Sequence, residues 1–268
     1  MKLVDFYRVL EKHAPIGISE RFCSDFGGYD NSGILVNTGK DVLSAVFSLD
    51  LSVAAVEKAV SRDAGVIVTH HPAIYAKIGD IRSDEPLGYK LVKCIENGIS
   101  VVSMHLNLDG AAEGVDQSLA EAVCKASGGE LKDESIMYPL GENVGYGRAY
   151  RLKKSVSLSV LAENLKRILK SKNMLVFGKS DTPIEKAASF CGAGADIEAI
   201  DFAVKNGVGV IVSSDFKHHI ISEALERGLC VIAPTHYASE RYGFQKYYEK
   251  ISRETEISCL FHEDEEFL

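Results

Sequence analysis

Apolar positions along this chain follow two alternating periods, one of helices and one of short buried strands. Leu3, Phe6, Tyr7 and Leu10 recur at helical spacing and predict a first helix over residues 4–12. Residues 42–49 read as a strand, and Ser52 stands where it would cap a helix over 53–60. Gly65 marks the entry to a strand over 66–69. A helix over 87–96 stops at Asn97-Gly98, and a strand over 99–104 follows. The same order returns later: a strand over 186–191, a helix over 195–205 and a strand over 208–212. A helix over 220–226, closed by Gly228, then leads to a strand over 229–233. Helices alternating with strands predict an α/β fold.

The two stretches also agree residue by residue. Ala59-Val60-Ser61-Arg62-Asp63-Ala64-Gly65-Val66-Ile67-Val68 aligns without gaps on Ala203-Val204-Lys205-Asn206-Gly207-Val208-Gly209-Val210-Ile211-Val212. Ile95-Glu96-Asn97-Gly98-Ile99 aligns on Leu225-Glu226-Arg227-Gly228-Leu229. This predicts two related α/β lobes from an internal duplication, residues 1–129 and 130–234. A C-terminal segment, 235–268, is expected to pack against the first lobe. The first lobe carries extra residues around 72–86. Residues 130–151, with Gly141, Gly145 and Gly147, are expected to form the crossover into the second lobe.

Three predicted strands end in histidine and carboxylate: Thr69-His70-His71-Pro72, His105-Leu106-Asn107-Leu108-Asp109 and His236-Tyr237-Ala238-Ser239-Glu240. In open α/β sheets, ligands bind beyond the carboxyl ends of the strands. The alignment sets His70 and His71 opposite Ser214 and Asp215, and His105 near His236, so sites at equivalent ends of two lobes could face one another across a cleft. Neighbours on a regular strand point to opposite faces. Pro72 removes a ladder donor and ends the strand, which frees the two rings to splay toward neighbouring metals. His236 and Glu240 share a helix face at their four-residue spacing, and His105 and Asp109 repeat it. Imidazole with carboxylate suits Zn, Mn, Fe or Ni. Each fragment also has a plain structural reading, as a surface polar pair or a core histidine bonded to backbone.

Bulk properties narrow the classes. The 268 residues are 46% hydrophobic and 25% charged, as in an ordinary globular protein. No apolar run approaches the length of a membrane span, and the start, Met1 to Phe6, lacks the basic opening and apolar stretch of a signal peptide. The expected location is the cytoplasm. A net charge of −8 argues against general nucleic-acid binding, while leaving room for a local nucleotide pocket. The six cysteines are widely spaced, with no C-x-x-C pair, so neither a disulfide framework nor a zinc knuckle is expected.

With these motifs in view, the chain resembles the NIF-three-like family over nearly its whole length. Tyr29-Asp30-Asn31-Ser32-Gly33 is similar to that family's W-D-N-x-G, and Val68-Thr69-His70-His71-Pro72 follows in the family order. His105-Leu106-Asn107-Leu108-Asp109 is similar to H-T-N-L-D. Cys191-Gly192-Ala193-Gly194 and then His236-Tyr237-Ala238-Ser239-Glu240, similar to G-H-Y-A-T-E, complete the set. The resemblance implies a site for two divalent ions in the cleft between the lobes, with His70, His71, Asp109, His236 and Glu240 as ligands. It implies that Glu240 bridges both ions, that His71 and Asp109 favour one, and that His70 and His236 favour the other. His105 is left beside the ligands, available for proton transfer. Relatives are called GTP cyclohydrolase 1 type 2 homologues, which implies a hydrolase acting on a nucleotide or phosphoester through metal-activated water. The alternative is a non-catalytic, metal-handling or regulatory binding protein. A homohexameric ring is likewise implied. Leu106, Thr235 and Tyr29 depart from the family pattern; none is a ligand, but each could reshape a pocket wall.

Other residues stand open to two readings. Lys217, His218 and His219 could meet a nucleotide phosphate or form a solvated loop. Gly192-Ala193-Gly194 could present amides to an anion or make a tight strand-to-helix turn. Asp50 could orient a ligating histidine or cap the following helix.

Overall fold

The computed structural model describes residues 1–132 and 134–268. The chain divides into two compact units, Met1–Ala111 with Phe244–Glu265, and Ala112–Gly243 with Glu266–Leu268. In the first unit α1 (Leu3–Glu11) and α2 (Ile16–Phe26) precede β1 (Gly33–Val36), β2 (Ser44–Ser48), α3 (Val53–Ser61) and β3 (Val66–Thr69). Then come α4 (Pro86–Glu96), β4 (Ser100–Ser103) and the single-turn α5 (Leu106–Gly110). The second unit contains α6 (Val115–Ala126), β5 (Ser135–Gly141), β6 (Val144–Ser157), α7 (Leu158–Leu169) and β7 (Met174–Phe177). It continues with β8 (Pro183–Ser189), α8 (Ile197–Lys205), β9 (Val210–Val212), α9 (His218–Glu226) and β10 (Cys230–Pro234). The division falls inside α10 (His236–Glu254), and β11 (Ser258–Phe261) completes the first sheet.

Each unit is built around a module of three parallel strands joined by helices, to which β11 adds a fourth parallel strand beside β2 in the first. The first sheet runs β1-β4-β3-β2-β11, with β2, β3 and β4 parallel and β1 antiparallel at the edge. The second runs β5-β6-β8-β9-β10-β7, with β8, β9 and β10 parallel and β7 antiparallel beside β10. In both, an antiparallel strand that precedes the three-strand module in the chain, β1 or β7, pairs with the last strand of that module, β4 or β10.

The repeat extends to individual hydrogen bonds. Ala64 N–H donates to Ala59 O at 3.0 Å, and Val208 N–H to Ala203 O at 3.2 Å. Ile99 N–H donates to Cys94 O at 2.8 Å, and Leu229 N–H to Ala224 O at 2.9 Å. The aligned turn residues Asp63 and Gly207 both have positive φ, 49° and 64°, as do Gly98 and Gly228 at 70° and 81°. Both strand-helix-strand modules therefore turn at the same positions for the same backbone reason. Helix starts are capped as the side chains allow: Ser52 Oγ accepts from Ala55 N at 3.0 Å, and Asp196 Oδ1 accepts from Ala199 N at 2.9 Å.

The parallel strands are apolar on both faces because helices cover both. Val46, Ile67 and Val101 pack with Val56 and Leu91 in the first unit; Ala188, Ile211 and Val231 pack with Ile200 and Phe190 in the second. No helix among the described residues is long and apolar enough to cross a membrane.

The structure redraws the expected connection over 130–151. Outside Asp133, which lies beyond the described residues, it is dominated by the antiparallel hairpin β5–β6, paired from Ser135↔Ala149 to Gly141↔Val144. Helix α6, expected in the first lobe, belongs to the second unit. An ion pair explains why: Asp116 on α6 meets Arg148 of β6, and both side chains are fully buried. Arg148 also lies 2.8 Å from Glu134 and donates to Gly145 O at 3.1 Å, tying the hairpin turn to the helix. The 235–268 segment likewise divides, with 244–265 joining the first unit.

Removing one partner of a buried ion pair strands the other charge. Asp116→Ala is expected to cost about 3–5 kcal/mol in urea unfolding. Glu185→Ala, which breaks the exposed pair with Arg151 at 3.8 Å, is expected to cost under about 1 kcal/mol. Equal losses would contradict this picture.

Candidate functional site

In the first unit, the register of the parallel strands brings the chemistry to one edge. Ser48 pairs with Thr69, and Thr69 with Ser103, so Asp50, His70, His71 and His105 all leave the sheet at the same carboxyl end. The N–H groups of His70 and His71 both donate to Leu49 O, at 3.1 and 3.0 Å. Thr69 Oγ1 donates to His71 O at 2.7 Å and turns the chain. The three rings converge: His70 to His71 centroids are 5.1 Å apart, His70 to His105 5.3 Å, and His71 to His105 5.9 Å.

Each ring is held by the same nitrogen. His70 Nδ1 lies 2.8 Å from Met104 O, His71 Nδ1 2.7 Å from Asp50 Oδ1, and His105 Nδ1 2.8 Å from Asp30 Oδ1. Carbonyl and carboxylate oxygens accept, so Nδ1 carries the proton in all three, and in the neutral ring Nε2 carries the lone pair. Asp109, buried on α5, brings Oδ1 to 3.4 Å from His70 Nε2. His70, His105 and Asp109 offer donor atoms within 4.8 Å of one another. Between His105 and Asp109, the buried Asn107 donates to Ala14 O at 2.7 Å and anchors the turn.

The second unit carries its own cluster. Thr235 Oγ1 accepts from Ala238 N at 3.2 Å and caps α10, setting His236 and Glu240 on one face. His236 Nε2 lies 3.1 Å from Glu240 Oε2, and its Nδ1 lies 2.6 Å from Asp215 Oδ2. Gly192, at φ +57°, leaves the space this needs. A Cβ there would collide with Glu240 Oε1 and stand 3.2 Å from His236 Nε2. The Gly192 N–H donates to Ser239 Oγ at 3.2 Å, so this glycine segment serves as a tight turn under the helix. Cys191 Sγ is within 4.8 Å of a Glu240 oxygen.

Charge follows the geometry. Burial alone would raise the Asp30 carboxyl, but hydrogen bonds from His105, Ser19 and Ser32 outweigh it and hold it at about 2. Burial would lower His236, yet the hydrogen bonds and charges of Glu240 and Asp215 raise it to about 9. A proton there occupies the place of a cation. Nitrogen and oxygen donors of this kind suit Zn, Mn, Fe or Ni, and anchoring Nδ1 on an oxygen is how metal-ligating histidines are held.

The sequence-derived residues thus gather as His70, His71, His105 and Asp109 in the first unit, and as His236 and Glu240 in the second. Asp50 orients His71, while Ser52 caps α3. Lys217, His218 and His219 sit exposed at the start of α9 and belong to none of the metal-competent groups among the described residues. Sequence reasoning assigned no role to Asp30, placed Cys191 only within its glycine-rich motif, and placed Asp215 only as the counterpart of His71. Asp30 had a signal in its D-N-x-G motif, and Asp215 in its position at a strand end.

Comparison with known proteins agrees along the chain's length. A family profile described as Duf34/NIF3 (NGG1p interacting factor 3) matches residues 1–266. A Clostridium acetobutylicum protein named GTP cyclohydrolase 1 type 2 homolog is 30% identical over 244 residues, covering 90% of this chain and 85% of that one. A Clostridium perfringens protein of the same name is 29% identical over 262 residues, covering 97% and 95%. The crystal structure of a Bacillus cereus protein related to NIF3 superimposes with a TM-score of 0.79 at 21% identity, covering 98% of this chain and 97% of that one; at that identity the likeness speaks for the fold.

The depressed Asp30 carboxyl sets a pH dependence. Its folded value of about 2 lies below the ordinary 3.8, so the stability it contributes is present above about pH 4 and is lost as pH falls through 2. Asp30→Asn is expected to cost about 2 kcal/mol at pH 7 in urea unfolding, with the gap to wild type closing near pH 2. A gap that stays constant with pH would contradict the depressed Asp30 carboxyl.

Proposed function

The chain belongs to the Duf34/NIF3 family, and on that premise we propose that it is a dinuclear-metal-dependent hydrolase acting on a nucleotide or phosphoester. In this reading His70 and His236 would hold one divalent ion, His71 and Asp109 would hold the other, and Glu240 would serve both. Two such ions supply Lewis acidity toward a phosphoryl or carbonyl oxygen and lower the pKa of water. The observation that carries the reading is the uniform commitment of Nδ1 in His70, His71 and His236 to an oxygen acceptor, which reserves Nε2 for coordination. The relatives' printed name, GTP cyclohydrolase 1 type 2 homolog, supports a nucleotide as the substrate class.

His105 has the same tautomer and lies beside His70 and Asp109, but it is not one of the five ligands in this reading. Its Nε2 exchanges a proton with the substrate, while Asp30 holds Nδ1–H and stabilises the imidazolium that forms. Cys191 and Gly192 shape the wall beneath Glu240. Water is admitted at His71 and His105, which are half-buried, whereas His70 is fully buried.

Metal analysis of gently purified protein tests the ligand set. Wild type is expected to hold two ions per chain and Glu240→Ala to lose both, whereas unchanged content would remove Glu240 as the shared ligand. His105→Ala is expected to keep both ions and to lower turnover of a nucleotide or phosphoester by about 100-fold or more. Loss of metal in that variant makes His105 a ligand instead. Full metal with no turnover in wild type leaves a metal-handling protein.

A further inference from the structure

Two tyrosines at the edge of the first cluster have no part in coordination. Tyr29 and Tyr75 are 51% and 53% exposed, unusually open for aromatic side chains. They meet edge to face, with centroids 5.7 Å apart and planes at 90°. Tyr75 also stands perpendicular to His105, with centroids 6.5 Å apart and planes at 89°. The rings therefore make a corner that opens beside the imidazole.

This corner is held by its backbone. Asn31 Nδ2 donates to Ile74 O at 2.5 Å, joining the two segments that carry the tyrosines. Tyr75 OH donates to Tyr29 O at 3.4 Å. Ala73 N–H donates to Ser103 Oγ at 3.3 Å, and Ala73 and Ile74 pack against the core of the first unit. The segment after Pro72, which has no counterpart in the second module, is thus pinned where it passes His105. Such a wall is already arranged and loses little freedom when a ligand arrives.

We propose that Tyr29 and Tyr75 form a stacking platform for the planar base of a nucleotide whose phosphate meets the metal cluster. This rests on the hydrolase reading above and selects the nucleotide over a simple phosphoester. Aromatic faces take bases of any identity, because every base has a π-face. A base laid on Tyr75 lies beside His105, whose Nε2 is the ring nitrogen not committed to Asp30. A second copy of the chain seated on the rings would cover His105 as well, which a reacting histidine cannot accommodate.

The test titrates GMP and ribose 5-phosphate into metal-loaded protein by calorimetry. Wild type, Tyr75→Ala, Tyr75→Phe and Tyr29→Ala are compared, with metal content and mass in solution recorded on each sample. Removing the Tyr75 ring is expected to weaken GMP by about 5- to 100-fold and leave ribose 5-phosphate unchanged. Tyr75→Phe is expected to stay within about 3-fold of wild type. Wild-type GMP affinity in Tyr75→Ala overturns the platform, as does an equal loss of both ligands. A smaller assembly with GMP affinity unchanged makes the tyrosines a contact between copies and overturns it too. A wild-type chain that binds no metal overturns the hydrolase reading itself, whereas full metal with no dependence on the ring overturns the platform alone.

Discussion

The in-register pairing of β2, β3 and β4 is the constraint from which the first cluster follows. Pairing Ser48 with Thr69 and Thr69 with Ser103 brings three chain exits level with one another. A slip of one residue would reverse which side chains face which side of the sheet. Asp50 would then lose His71, and Met104 O would lose His70. The apolar strands that enforce this register, Ala45 to Phe47, Val66 to Val68 and Val101 to Val102, are all buried, so the same burial that stabilises the unit positions its polar ends. Fold and site share one cause.

The second module repeats the scaffold and changes what stands on it. The position of His71 is taken by Asp215, which offers an oxygen to His236 Nδ1 where His71 itself takes one from Asp50. An aligned position thus serves as an orienting group in one module and as an oriented one in the other. Gly192 supplies the space beneath Glu240, and Thr235 caps the helix that carries both donors. The two modules share their turns and their hydrogen bonds, and they differ in the side chains that stand at their strand ends.

What could be read from the sequence follows this logic. The parallel strands and their helices were legible because burial on both faces gives continuous apolar runs, and because Ser52, Gly98 and Gly228 punctuate them. The strand over 66–69 coincides with the observed β3. The β5–β6 hairpin was read as a crossover because β5 is mostly half-buried and lacks such a run. The exposed edge strand β7 and the short β1 were missed for similar reasons. The histidine donors were visible as residue types at strand ends. Their orienting partners were harder to see, since Asp30 lies 75 positions from His105 and Asp215 lies 21 from His236. Only the fold brings those pairs together. The tyrosine corner was less visible still, because it depends on a loop whose course is set by hydrogen bonds to Ser103 and Asn31.

The central claim is that Nδ1 is committed to the protein and Nε2 to metal. Crystals of zinc- or manganese-loaded protein, measured at the metal's absorption edge, address it directly. Two anomalous peaks are expected, with Nε2 of His70, His71 and His236 at about 2.0–2.2 Å from an ion and their Nδ1 contacts to Met104, Asp50 and Asp215 intact. Metal found on Nδ1 of these rings, or a loaded protein with no peak at them, would contradict the account.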